Sequence, residues 1–270
     1  MHGNIFKIEI ETDEKGLKMH QQFQEEISIN TSKIKENNLG IERSEDYLLF
    51  VEFFELDKDF IPFTIDRIKF LNVYNSFINI RNDINFNRLG LYLAKTELEQ
   101  IIHIRYILIE INRYIERMDE KDSLYINEMC DNYPELVVMA GKAYYAVLFN
   151  GFLEKYYKWI NKNRNLSTHY AEINNYKNYY KRISNIKIKD IENICDEFLI
   201  CQEILFKLLE SLNKFHTDDL NKIIIELENE KHLEQDELYK ILEEKKSLIP
   251  FKKYKHIKYI ISQIFNTVGY

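Results

Sequence analysis

Seven glycines and three prolines among 270 residues leave this chain few places to turn sharply. Gly supplies the positive φ of many tight turns and Pro interrupts helices, so their scarcity argues against a turn-rich β-sandwich and favours long helices. Apolar residues make up 45% of the chain, enough for a sizeable core in one large domain or a core domain with decorations. The apolar spacing agrees. Between Leu91 and Arg117, residues Leu98, Ile101, Ile102, Ile104, Ile107, Leu108, Ile111 and Ile115 recur at helical intervals. Pro134 suits the first turn of a helix over Glu135–Lys162, and a third helix fits Ile188–Phe215. A polar helix is read over 17–38, with shorter ones over Asp236–Lys246 and Lys252–Asn266.

Two segments read differently. Phe6 to Glu11 alternates apolar and charged residues, as a half-exposed strand does, and the aromatic run Tyr47–Leu56 suits either a partner strand or a helix. The cluster of Asn, Asp and Gly from Asn82 to Gly90 reads as a boundary, and Thr217-Asp218-Asp219 reads as the cap of a new helix. The expectation is therefore a mainly α chain: an antiparallel helical bundle over 89–216, a small N-terminal α/β piece over 1–88, and extra C-terminal helices over 217–270.

Leu136 to Leu153 is nearly all apolar, interrupted by Gly141, Lys142, Asn150 and Gly151. It sits at the short limit for a membrane span, and a central Lys is costly there, so a buried core helix is expected and no membrane partner. Three cysteines without CxxC spacing imply neither a disulfide framework nor a zinc knuckle, and no signal peptide is read at the start. The expected compartment is the cytoplasm.

Charge is distributed unevenly. The whole chain carries −7, yet from Lys155 to Lys189 nine Lys and Arg face Glu172 alone, so the remainder carries −15. Tyr156, Tyr157, Trp159, Tyr170, Tyr176, Tyr179 and Tyr180 are interleaved with these cations. Cations beside aromatic rings suit single-stranded nucleic acid, which offers phosphates and unstacked bases. Lys158, Lys162, Tyr170, Lys177, Lys181 and Arg182 are the candidate RNA-binding residues. A second basic run comprises Lys245, Lys246, Lys252, Lys253, Lys255 and Lys258.

Inside the first basic stretch lies Arg164-Asn165-Leu166-Ser167-Thr168-His169. On an ideal helix five residues rotate by about 500°, which leaves Arg164 and His169 roughly 140° apart. They converge on one phosphate only where the helix ends or distorts. Asn165, Ser167 and Thr168 are poor helix-interior residues, so a break is expected between Arg164 and His169.

With this R-N-x3-H motif, entered through an aromatic helix (Phe152 to Ile160), residues 90–215 resemble the HEPN superfamily of helical-bundle proteins. The resemblance implies a metal-independent, cofactor-free endoribonuclease, with His169 as general base, Arg164 stabilising charge on phosphate and Asn165 as a supporting hydrogen-bonder. It further implies a homodimer with a composite site, a toxin or antiviral-defence role, and an antitoxin or regulatory partner. Some toxins of the family carry R-x4-H-x-Tyr; here Tyr170 follows His169 directly and Ala171 occupies the next place. The family often adds a polar residue from a facing helix, for which Glu97, Glu99, His103 and Glu110 are candidates. The alternative function is a non-catalytic helical module that binds RNA or a partner protein through the same basic face.

Overall fold

The computed structural model describes residues 14–55, 60–168, 186–231 and 235–267, and within them all regular structure is helical. The helices are α1 (Glu14–Phe53), α2 (Phe60–Leu93), α3 (Glu97–Asp119), α4 (Lys121–Asn132), α5 (Leu136–Thr168), α6 (Ile188–Lys231), α7 (Gln235–Glu244) and α8 (Phe251–Thr267). Pro62 lies in the first turn of α2, Pro134 just ahead of α5, and Pro250 directly before α8. Each proline thus stands near a helix start, where its fixed φ fits and its missing N–H is not required. The mainly α expectation holds.

The expected N-terminal α/β piece does not. Phe6–Glu11 lies outside the described residues, and among the described ones there is no strand. Tyr47–Phe53 closes α1 as helix. Its aromatic and aliphatic residues recur at helical spacing: Phe50 is buried among Leu238, Leu242, Tyr254 and Ile257, with Leu49, Phe53 and Phe54 beside it. Glu55, at φ +54°, turns the chain out of α1, and Lys245 Nζ donates to the Phe53 carbonyl at 3.2 Å. A cation there also complements the negative end of the helix dipole.

The chain divides into two compact units, the described parts of Met1–Lys33, Ile78–Ser123 and Ala146–Gln202 in one, and of Ile34–Phe77, Leu124–Tyr145 and Glu203–Tyr270 in the other. In the first unit α2 and α6 run antiparallel, because Arg88 donates to Asp196 at 2.5 Å while Tyr92 meets Glu192 and Arg81 reaches the Leu199 carbonyl. The core is built on Tyr114, edge-on to Phe149 at 5.8 Å and to Phe198 at 4.9 Å. Asn82 to Gly90 is no loop but continuous helix. Its polar residues make tertiary bonds instead: Asn82 accepts from Asn30 at 2.8 Å, and Asn87 meets the His103 ring at 3.1 Å.

In the second unit α1 and α2 are joined by buried amides. Asn37 donates to Asn75 at 2.8 Å, and Asn75 donates to Asn38 at 2.9 Å. Arg67, buried, donates to Asn213 of α6 at 2.6 Å, and burial pulls its pKa down to about 10. Thr217-Asp218-Asp219 does not cap a new helix, since α6 continues through it and the Thr217 hydroxyl donates back to the Asn213 carbonyl at 2.7 Å. His216 is 1% exposed, edge-on to Phe63 at 4.4 Å and to Phe70 at 6.1 Å, with Nδ1 lacking a hydrogen-bond partner among the described residues. Burial and the nearby Arg67 charge lower its pKa to about 4.

The apolar helix α5 departs from expectation in another way. Val138, Tyr145, Phe149 and Phe152 are buried, but Leu136, Val137, Met139, Tyr144 and Val147 remain exposed. Only 22% of its most apolar window is buried, so the expected core helix is a core helix on one face. Among the described residues it is the one helix long and apolar enough to cross a membrane by length and composition. Lys142 is held to Asp131 at 2.8 Å.

Two tests follow from this packing. A Cβ at Gly90 would lie 2.2 Å from His103 Cε1, and that ring is held by Asn87. Gly90→Ala is expected to cost about 1–3 kcal/mol despite its better helix propensity. Urea midpoints check this, with the added His103→Ala change recovering most of the loss. His216 is neutral when folded, whereas the unfolded chain protonates it below about pH 6.5. Its contribution is fully present above that value and is lost as pH falls toward 4, by about 3 kcal/mol. Unfolding curves at pH 7.5 and 4.5 measure the slope, which His216→Met should flatten.

Candidate active site

Arg164 lies one turn before the last described residues of α5, which is helical through Thr168. The expected break therefore does not occur between Arg164 and Thr168. Weak helix formers are tolerated here within a 33-residue helix, as tertiary packing routinely overrides propensity. The backbone of Asn165 is part of that helix. His169, Tyr170, Lys177, Lys181 and Arg182 lie outside the described residues.

The Arg164 guanidinium faces α3, where Nη2 meets Glu116 Oε1 at 3.0 Å. Asn112, buried one turn earlier on α3, donates its amide to the same carboxylate oxygen at 2.7 Å. Asn163, also buried, bonds back to the Trp159 carbonyl at 2.8 Å and keeps that turn of α5 closed. The Arg164 side chain retains 30% exposure. It is oriented by a carboxylate and still reachable from solvent. That arrangement suits an anion, because a guanidinium is a planar, delocalised cation whose geometry matches carboxylate and phosphate oxygens.

The four facing-helix candidates have surroundings of their own. Glu99 closes a capping box: its carboxylate accepts from the N–H groups of Lys95 and Thr96 at 2.7 and 3.1 Å, which lowers its pKa. Glu97 sits exposed in the first turn of α3, favourably near the positive dipole end. His103 meets Asn87, and burial lowers its pKa. Glu110 pairs with Arg113 at 3.4 Å, and burial together with Asp83 raises its pKa. Glu116 is the residue that sequence reasoning missed. The signal available in the sequence was Asn112 at i−4 from Glu116, a spacing that puts an amide and a carboxylate on one helix face.

The cations of α5 do not gather around Arg164. Lys158 and Lys162 are exposed one turn apart, and Lys162 precedes Arg164 by two residues, a rotation of about 200°. On an ideal helix Lys162 points about 160° and Lys158 about 120° away from Arg164. Lys155 is bound to Glu197 of α6, which also accepts from Tyr156 at 2.7 Å. No protein-family model, curated protein or solved structure matches the chain.

The Arg164–Glu116 pair is half in solvent, so it adds little to stability. A double-mutant cycle of Arg164→Ala and Glu116→Ala, read from urea midpoints, is expected to give a coupling below about 1 kcal/mol. A functional loss larger than that reports on chemistry.

Proposed function

We infer that the chain is a metal-independent endoribonuclease of HEPN type, which cuts single-stranded RNA and acts in the cytoplasm as a toxin or antiviral-defence effector. The observation that supports it best is the oriented, solvent-reachable Arg164, held at 3.0 Å by Glu116 within the R-N-x3-H motif of a helical bundle. In this reading the His169 imidazole takes the proton of a ribose 2′-OH, whose oxygen attacks the adjacent phosphorus. Arg164 holds the charge that gathers on the non-bridging oxygens. The 5′-oxygen leaves with a proton, giving a 2′,3′-cyclic phosphate and a 5′-OH. The leaving-group proton calls for a second imidazole, which a homodimer with a composite site supplies. Asn165 supports the phosphate. Lys158 and Lys162, with Tyr170, Lys177, Lys181 and Arg182, bind the RNA. An antitoxin or regulatory partner restrains the activity.

Two observations favour a second reading, a non-catalytic module that binds RNA or a partner protein. Glu116 already neutralises Arg164, and Lys158 and Lys162 face away from it.

Labelled single-stranded RNA in EDTA, with fragment ends analysed, separates the two. Wild type alone should yield cyclic-phosphate ends, and His169→Ala should lose about a hundredfold or more in rate while keeping its RNA affinity. Equal cleavage by both proteins would remove the motif from the mechanism. If neither cleaves, and Lys158→Glu with Lys162→Glu weakens RNA binding, the second reading stands.

A further inference from the structure

The second lysine run surrounds an apolar tip that the Arg164 site does not use. α7 ends at Glu244, a short 3-10 turn spans Lys246–Leu248, Ile249 is extended, and Pro250 leads into α8. On this turn Leu248 is 80% exposed and Phe251 66%. They are not strays from an unfinished core. α8 has its own buried face, with Tyr254, Ile257, Ile260 and Ile261 packed among Phe50, Leu238 and Leu242.

The chain through this tip carries charge of one sign, although Glu55, Glu243 and Asp46 approach it from elsewhere. Residues 245–263 contain six Lys and no Arg, Asp or Glu. Lys245 and Lys246 are engaged by Glu55 and Glu243 at 3.5 and 3.0 Å. Lys252, Lys253, Lys255 and Lys258 are exposed, and Tyr259 is exposed on the same helix. We propose that this turn docks on an anionic membrane surface, with Leu248 and Phe251 entering the boundary between headgroups and acyl chains and the lysines of α8 holding acidic headgroups.

Three features favour lipid over nucleic acid. Leu248, the most exposed residue of the tip, has no π face for a base, whereas an aliphatic side chain on a projecting turn suits the acyl boundary. The Phe251 ring is already stacked on Tyr254 at 6.5 Å and lies under Lys255 at 4.7 Å. The cations are all lysines, point charges on long apolar stems that reach outward from an interface, with none of the planar forks that read phosphates in pairs. The contact is peripheral and needs no spanning helix. It also stands apart from the ribonuclease reading.

The test is sedimentation of the full chain with vesicles of phosphatidylcholine alone or with about 30% phosphatidylserine. Binding to the acidic vesicles should be about tenfold tighter or more, and should weaken as salt is added. Leu248→Ser with Phe251→Ser should lower it about tenfold or more, and Lys252→Glu with Lys253→Glu and Lys255→Glu should abolish the acidic preference. All these positions are exposed, and circular dichroism checks that each variant is folded; Phe251→Ser alone serves if the double variant is not. No binding, equal binding to both vesicles, or indifference to the tip substitutions overturns the proposal. Loss of single-stranded RNA affinity in the lysine variant, with vesicle binding intact, would assign the face to nucleic acid.

Discussion

The constraint on which the helical arrangement rests is the polar content of α2. This helix buries Phe70, Leu71, Phe77, Ile78, Ile80 and Ile84, yet it also buries Thr64, Arg67, Asn75, Asn85, Asn87 and Arg88. A buried amide or guanidinium left without a partner costs roughly 1–3 kcal/mol, so most of these groups have to meet a complementary atom on a neighbouring helix. Asn75 meets Asn37 and Asn38 of α1, Arg67 meets Asn213 of α6, Arg88 meets Asp196 of α6, and Asn87 meets His103 of α3. Hydrophobic contact alone tolerates sliding by a turn. These bonds do not, and they fix register within each unit.

The same residues explain where sequence reasoning succeeded and failed. Apolar periodicity locates the helices containing Ile101 to Ile115 and Ile191 to Leu212, because a 3.6-residue period depends only on which side of one helix faces the core. Asn82–Gly90 misleads because Asn is a turn former by local chemistry, and only the facing helices Asn30 and His103 belong to make it a helix interior. Thr217 misleads in the same way. Its hydroxyl suits an N-cap, but its own Asn213 carbonyl one turn back takes the bond. The Tyr47–Leu56 run was ambiguous because short apolar stretches fit either period, and its covering cluster comes from residues about 190 positions later.

The candidate site was legible at Arg164 and not at its partner. The motif singles out the arginine from local sequence, whereas Glu116 becomes its neighbour only through packing of α3 against α5. For the apolar stretch from Leu136, composition announced burial, but composition does not record how much of a helix surface its neighbours cover. Here they leave Leu136, Val137, Tyr144 and Val147 in solvent.

The disposition of α5 bears on how an Arg164-centred chemistry has to be organised. A helix with its side chains is about 10–12 Å across, so a strand lying along Lys158 and Lys162, about 120° and 160° around α5 from Arg164, follows a different face from the guanidinium. That separation argues against one phosphate meeting both. Glu116 adds a second condition, since a phosphate must share or displace that carboxylate before it receives paired hydrogen bonds. Within the ribonuclease reading, a strand guided by the lysines of one copy therefore has to be presented to the arginine of another, or to pass around α5 to the arginine of the same chain. The first route gives the composite site a geometric reason independent of the need for two imidazoles. The second needs only one chain, and the oligomeric state of the active species decides between them.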